Sequence, residues 1–213
     1  MKTDELIALL ATGAEPVPAN TVAWRFALAL GLSVPAAIVL MALTLGIRAD
    51  LLQAMAGTMF WMKVLFAAGL ALAALVATDR LSRPGMRVGG IWAAMAAPVL
   101  LLWLLAVTVW LAAAPAQRAE LIFGATWKTC PFNIALISLP LFAATLWVLK
   151  GLAPTRLALA GAGAGLLAGA LSALVYALHC PESAAPFIAI WYVLGIALPA
   201  LAGAVLGPRV LRW

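Results

Sequence analysis

Charged residues are scarce in this sequence, and their scarcity limits the kinds of protein that it can encode. Of its 213 residues, 9% are charged and 67% are hydrophobic, whereas a soluble domain has about 25% charged and about 45–50% apolar residues. So few polar side chains cannot cover the surface of a water-soluble globule, and a soluble fold is therefore excluded. The net charge of +6 indicates membrane orientation rather than direct nucleic-acid binding, because Lys and Arg in a hydrophobic chain set its topology.

Catalytic signatures are absent as well. The sequence contains no G-x-S-x-G, no H-E-x-x-H and no Gly-rich phosphate loop. It has seven acidic residues and one histidine, and none of its long apolar stretches contains Asp or Glu. The carboxylates that usually mark proton-coupled or ion-coupled transport are therefore missing. We expect no enzyme activity and no required cofactor.

Six long apolar stretches dominate what the sequence does contain. They cover approximately residues 26–45, 58–78, 91–113, 132–149, 157–178 and 186–206. Each reaches the length of about 18–20 residues that a transmembrane helix needs, and none alternates as a β-barrel strand does. The first stretch is too long for a signal peptide and is interpreted as an uncleaved anchor. The sequence thus predicts an all-α, polytopic membrane protein, with a six-helix transmembrane domain in 23–213 after a cytoplasmic amphipathic segment and linker in 1–22.

The distribution of basic residues predicts the orientation of this bundle. Six spans put both termini on one side, together with the loops between the second and third spans and between the fourth and fifth. That side holds nine of the thirteen basic residues, namely Lys2, Arg25, Arg80, Arg83, Arg87, Lys150, Arg156, Arg209 and Arg212. The other side holds four, Arg48, Lys63, Arg118 and Lys128. By the positive-inside rule, we expect both termini in the cytoplasm.

Two cysteines lie beside predicted span ends, and each is followed by a proline. Cys130 precedes the fourth span, and Cys180 follows the fifth. Both are therefore expected on the non-cytoplasmic side, which in a bacterium is the oxidising periplasm. They do not form a C-x-x-C redox motif. Three interpretations stay open: a permanent structural disulfide, a responsive thiol pair that becomes oxidised or metal-bound, or two unrelated buried cysteines.

A soft metal ion is one ligand that such a pair could take. His179, the chain's only histidine, directly precedes Cys180. Two thiolates and one imidazole would suit Cu(I), Zn or Cd. A single histidine near the membrane surface is more often an ordinary residue at a helix end. The candidate metal ligands are Cys130, Cys180 and His179.

Residues 1–12 have the pattern of a short amphipathic helix, followed by a break at 13–18. Acidic residues suit the positive N-terminus of a helix, and the leucines share one face. Helices shorter than about 12–15 residues are marginal alone, so this one is expected to dock. A protein partner is favoured over the membrane surface because anionic lipid attracts basic rather than acidic residues. The residues expected to contact the partner are Asp4, Glu5, Leu6, Leu9 and Leu10.

Two features inside the predicted spans have structural explanations that require no function. Gly161, Gly165 and Gly169 repeat every fourth residue in the fifth span, which favours close approach of a neighbouring helix. Lys63 is the one charge clearly inside a predicted span. Because it lies about one turn from the span's outer end, we expect its ammonium to snorkel to the membrane surface.

Four stretches of the sequence resemble one known family. They are MKTDELI at 1–7, MFWMK at 59–63, WKTCP at 127–131 and HCPE at 179–182. They are similar to the NrsF-like family of bacterial inner-membrane negative regulators of extracytoplasmic-function sigma factors, and the resemblance covers the whole chain. It implies an anti-sigma factor that holds its sigma factor inactive at the membrane. It also implies that Cys130 and Cys180 sense oxidative or heavy-metal stress outside and trigger release inside.

Two other functional classes stay open at this point. A small membrane transporter or channel would need a polar path through the bundle. A membrane thiol oxidoreductase would need turnover of the cysteine pair linked to a quinone. The sequence also leaves the oligomeric state open.

Overall fold

The computed structural model describes residues 3–12, 20–86 and 89–212, and within these ranges the chain forms helices and no β-strand. The predicted break at 13–18 lies outside the described residues, as do Lys2 and Arg87. The helices in chain order are α1 (Thr3–Ala11), α2 (Thr21–Thr44), α3 (Leu51–Met55), α4 (Thr58–Leu81), α5 (Ile91–Ala112), α6 (Arg118–Phe123), α7 (Cys130–Lys150), α8 (Leu157–Tyr176), α9 (Ala185–Phe187) and α10 (Val193–Val210).

Six helical segments of the described chain are long and apolar enough to cross a membrane. Five of them are single helices, α2, α4, α5, α7 and α8, and the sixth is the continuous segment Ala185–Val210. The predicted all-α bundle of six spans is confirmed. The short helices α3 and α6 lie in the connections between spans and were not predicted.

Two spans begin in ways that affect the cysteine turns. The fourth span was expected to start at residue 132, but α7 starts at Cys130, with Pro131 in its first turn. Proline suits this position because the first turn of a helix does not use its backbone N–H. The sixth span starts with α9, continues through a π-helical stretch at Ile188–Tyr192 and then becomes α10. Such π stretches are rare and are frequent at functional sites.

α8 is the most deeply buried of the six spans, and α5 the least. The sequence of α8 explains its place, because most of its residues are Gly, Ala or Ser and leave room for neighbours on every side. It packs against α4, α7 and α10. The connection that follows α8 therefore emerges among the ends of three other spans.

The contact between α8 and α10 is a contact of backbone with backbone. Gly161 faces the carbonyl of Gly203, and a Cβ on Gly165 would overlap the carbonyl of Pro199. A Cβ on Gly169 would lie 2.8 Å from the carbonyl oxygen of Ile196. The predicted close helix approach along these glycines is confirmed, and its partner is the last span.

We predict that Gly165→Ala destabilises the bundle by about 1–3 kcal/mol, the usual effect of overpacking a core. The added Cβ would also lie 2.7 Å from the Cα of Ala200, so backbone has to move. The measurement is the unfolding midpoint of the detergent-solubilised chain. The matched control is Gly31→Ala in α2, where no atom beyond the adjoining backbone of α2 lies within 4 Å of the added carbon. That control should be neutral or stabilising by about 0.5–1 kcal/mol, and equal destabilisation of both variants would contradict the prediction.

Candidate functional site

The two cysteine turns meet at one end of the bundle, here called the thiol end. It comprises the start of α7, the start of α4 and the connection 177–184 between α8 and α9. The Cys130 amide donates to the Thr126 carbonyl at 3.0 Å, and the Cys180 amide donates to the Tyr176 carbonyl at 2.9 Å. Hydrogen bonds within each turn therefore fix the backbone at both cysteines, independently of contacts with distant parts of the chain.

Cys130 and Cys180 are both free thiols, and both are fully buried. Their side chains interact with each other, although the residues are 50 positions apart in the sequence. The structure thus brings together the pair that the topology placed on one side. Oxidation or metal binding by the pair stays a prediction.

Two tyrosines surround the thiols inside the bundle. Tyr176 of α8 and Tyr192 of the π-helical stretch have ring centroids 5.8 Å apart, and both are buried. The Asn133 amide donates to the Tyr176 hydroxyl at 3.5 Å. The Tyr192 hydroxyl lies beside the Cys180 thiol and has no other hydrogen-bond partner among the described residues. The thiols therefore sit in a small polar cluster within an apolar bundle.

Lys63 is part of this cluster, and the expectation that it snorkels is wrong. Its side chain is 0% exposed. Its ammonium donates to the backbone carbonyls of Cys180 at 3.1 Å and Glu182 at 2.9 Å. The rings of Phe60 and Tyr192 lie 5.9 and 5.6 Å from the same nitrogen. Snorkelling is unnecessary because the connection 177–184 folds over the start of α4 and supplies the oxygen atoms that water would otherwise provide.

Arg48, in the connection after α2, holds the same turn from another side. Its guanidinium donates to the Cys180 carbonyl at 3.1 Å, and its backbone amide donates to the Leu178 carbonyl at 3.2 Å. The side chain also forms an ion pair with Asp50 at 2.7 Å. The hydrogen bond from this guanidinium lowers the pKa of the Asp50 carboxyl. One carbonyl, that of Cys180, therefore accepts from two cationic side chains on different elements.

Glu182 connects the two cysteine turns directly. Its carboxylate accepts from the backbone amides of Ala125 at 2.8 Å and Thr126 at 3.3 Å. Gly124 makes this approach possible, because a Cβ there would lie 2.6 Å from a Glu182 oxygen and because its φ is +50°. Hydrogen bonds to a charged group are worth about 1.5–3 kcal/mol. This carboxylate therefore sets the spacing between the segment before Cys130 and the segment after Cys180.

The predicted metal ligand His179 has a different partner. Its Nδ1 is 2.9 Å from the Gly46 carbonyl, and its ring centroid lies 5.5 Å from that of Tyr176. In the part of the chain that the structure describes, no three His, Cys, Asp or Glu side chains converge as a metal site would require. Binding of a soft metal by Cys130, Cys180 and His179 stays a prediction.

The thiols differ in character because of their surroundings. A hydrogen bond from the Cys130 thiol, aided by the Lys63 ammonium, lowers the pKa of the Cys180 thiol to about 6, although burial opposes the shift. Thiolates are the nucleophilic form of cysteine and the form that binds soft metals. These surroundings therefore favour Cys180 as the member of the pair that reacts first.

The predicted partner-binding residues lie in a different part of the chain. Asp4, Glu5, Leu6, Leu9 and Leu10 belong to α1, and all of them are exposed. α1 precedes the start of α2, whereas Gly46 and Arg48 follow its end and contact the thiol end. At about 1.5 Å per residue, α2 is about 36 Å long, so the end of α2 that follows α1 in the chain is one span length from the end at the thiol end.

Sequence reasoning missed the roles of four residues: Lys63, Arg48, Glu182 and Tyr192. A charge within an apolar run was a visible signal for Lys63. The other three gave no signal, since their contacts depend on how the connections fold over the bundle.

Comparison with known proteins identifies relatives along the whole chain. A family model described as "Negative regulator of sigma F", named NrsF, matches residues 10–213. A "Probable anti-sigma-F factor NrsF" from Azospira oryzae is 50% identical over 213 residues, covering 100% of both chains. An "Anti-sigma-F factor NrsF" from Caulobacter vibrioides is 39% identical over 234 aligned positions, again covering 100% of both chains. No solved structure matches this chain.

We predict that Cys180 ionises with a midpoint near pH 6, below the value of about 8.5 for an ordinary cysteine. A thiol becomes charged on deprotonation, so a lowered pKa means that the thiolate predominates above pH 6. The measurement is the ultraviolet absorbance of the thiolate during a pH titration, taken as the difference from Cys180→Ser.

Cys130→Ala provides the matched comparison. It removes the thiol that donates to Cys180, so the midpoint should move upward. A wild-type midpoint above pH 8, or an unchanged midpoint in Cys130→Ala, would contradict the prediction.

Proposed function

The chain belongs to the NrsF family of negative regulators of sigma F, and from this premise we propose that it is an anti-sigma factor of the bacterial inner membrane. In this proposal it sequesters an extracytoplasmic-function sigma factor at the cytoplasmic face. Oxidative or heavy-metal stress acts on Cys130 and Cys180 in the periplasm, and the sigma factor is released. The observation that carries the proposal is the contact between these two thiols, which lie in different parts of the sequence and are buried in one polar cluster.

The distribution of charge supports the orientation in this proposal. The thiol end carries few basic residues, while the opposite ends of the spans carry many. Arg25 there donates to the Gly151 carbonyl at 3.0 Å, and Arg83 forms an ion pair with Asp79 at 3.1 Å. An excess of Lys and Arg is typical of the cytoplasmic side. With the thiol end in the periplasm, the pair lies on the side of the oxidising compartment.

The chemistry of sensing requires an oxidant from outside. The Cys180 thiolate attacks a hydroperoxide, the O–O bond breaks, an alcohol leaves and Cys180 becomes a sulfenic acid. The Cys130 sulfur then displaces the sulfenic oxygen as water and forms the S–S bond. Overall, two thiols and one hydroperoxide give a disulfide, one alcohol and one water. A soft metal ion bound by both thiolates would link the same two residues without electron transfer.

The surface offered to the sigma factor is α1. Its leucines are exposed, as the docking role requires, and its first turn carries Asp4 and Glu5. A short amphipathic helix gains stability when its apolar face enters a groove of a partner. The apolar residues expected to enter that groove are Leu6, Leu9 and Leu10.

We predict that hydroperoxide or cadmium releases the sigma factor from the wild-type chain but not from Cys130→Ser or Cys180→Ser. Each substitution leaves one thiol, which can form neither the disulfide nor a two-thiol metal site. The measurement is the amount of sigma F from the same organism that stays bound to the reconstituted chain. Thr129→Ser is a control that retains both thiols and should respond like wild type. Equal release from the wild type and both cysteine variants would sink the sensing proposal.

Deletion of residues 1–12 should abolish capture of the sigma factor while leaving the bundle folded. The reason is that the exposed apolar face of α1 disappears and the six spans stay complete. Co-purification measures capture, and Trp fluorescence measures the fold. The control Asp4→Asn with Glu5→Gln retains the apolar face and should weaken capture less than the deletion does. Unchanged capture after the deletion would instead place the contact on the basic connection at 80–86.

A further inference from the structure

Lys63 joins the cysteine turn to a complete membrane span, α4. Its ammonium binds the carbonyls on both sides of Pro181, those of Cys180 and Glu182, and its backbone belongs to the second turn of α4. We propose that Lys63 is the coupling residue that transmits the state of the thiol pair to α4 and along it to the other end of the bundle. The last step, release of the sigma factor, rests on the proposed function, whereas the coupling between the thiol pair and α4 does not.

The burial of Lys63 makes this connection strong. An ammonium without water requires oxygen atoms or an anion around it, since burying an unsatisfied charge is costly. Among the described residues, the ion pairs are Arg48 with Asp50 and Arg83 with Asp79, and neither involves Lys63. The Glu182 carboxylate is turned away toward Ala125. The two backbone carbonyls of the turn, with the neighbouring Cys180 thiolate, therefore solvate this charge, and the turn and the side chain have to move together.

Oxidation of the pair moves the turn. The S–S bond draws the sulfurs of Cys130 and Cys180 closer than hydrogen-bonded thiols lie. The carbonyl that Lys63 binds belongs to Cys180 itself, so a shift of this residue toward α7 displaces an oxygen that solvates the buried charge. Either α4 follows the turn, or the ammonium loses a hydrogen bond. A change of this kind at a packed interface moves the bundle between discrete arrangements rather than deforming it continuously.

α4 is suited to transmit such a movement over its whole length. It has 24 residues, which corresponds to about 36 Å, and it contains no proline, whereas α2, α5, α7 and α10 each contain at least one inside the helix. Near its far end, Thr78 lies against Gly163 of α8, with its hydroxyl 3.0 Å from where a Cβ would be. A movement at Lys63 therefore reaches the residues that follow Leu81, which the proposed orientation puts in the cytoplasm.

The test compares wild type with Lys63→Met, in which the aliphatic part of the side chain stays and the charge and donors are lost. The full chain in lipid nanodiscs is treated with hydroperoxide. Three quantities are measured on the same sample: the fraction of disulfide, the hydrogen exchange of the backbone amides within 82–86 (all except Pro84, which has no N–H) and the amount of sigma F that stays bound.

In wild type, we expect disulfide formation to change the rate of amide exchange at 82–86 by at least about fivefold. This is the lower end of the usual coupling between two sites. In Lys63→Met, the disulfide should still form, but the exchange change should fall below about twofold and bound sigma F should stay in place. Lys63→Arg, which retains a charge and several donors, should restore most of the exchange change. Lys128→Met removes an exposed lysine at the same end and should behave like wild type.

The outcomes separate this proposal from the proposed function. If disulfide formation changes exchange in a Lys63-dependent way but never releases sigma F, the coupling stands and the anti-sigma mechanism fails. If wild type shows no exchange change, or Lys63→Met shows the full change, the coupling proposal is overturned. Failure of Lys63→Met to form the disulfide also overturns it, because Lys63 would then only position the thiols. If Lys63→Met does not fold, the same three measurements on Lys63→Gln test the coupling, because its shorter neutral side chain cannot reach both carbonyls.

Discussion

The thiol end depends on one physical requirement, the solvation of a positive charge inside an apolar bundle. Lys63 is 0% exposed, and the oxygens that solvate it come from the backbone of the Cys180–Glu182 turn. Burying an ion is tolerable only when its surroundings replace the water that it loses. Fixing the turn on this charge also fixes the Cys180 thiol against Cys130 and the Glu182 carboxylate against the segment before α7. A single buried cation thus organises both cysteine turns.

The small residues of α8 provide the frame in which this requirement can be met. Because α8 brings α4, α7 and α10 close to its own axis, the connection that leaves it emerges between Lys63, Cys130 and Tyr192. A fifth span with larger side chains would separate these elements, and the turn would no longer reach the charge. The glycines thus contribute to the site without contacting it.

The sequence predicted much of the fold, because length and apolar composition determine which segments can cross a membrane. It also predicted the close packing along Gly161, Gly165 and Gly169, since only small residues permit such contact. It failed at Lys63, because the distance of that residue from the span's end indicated water, while the actual ligands belong to a connection more than a hundred residues later. Two of the three interpretations paired Cys130 with Cys180 and the third left them unrelated, since spacing along the chain does not determine which turns meet. Contacts that depend on how the connections fold over the bundle could therefore not be predicted from the sequence, whereas properties of a single helical segment could.

Complete burial of the two thiols restricts which reagents can reach them. Side chains with no exposed surface meet a reagent only when the bundle opens locally, and such openings are small and brief compared with unfolding. A peroxide or a metal ion is small enough to use them, whereas a thioredoxin-like protein has to bring its own cysteine to within bonding distance. The pair is therefore screened from the enzymes that form and reshuffle disulfides in an oxidising compartment. Its redox state can then follow small diffusible chemicals rather than the folding machinery around it.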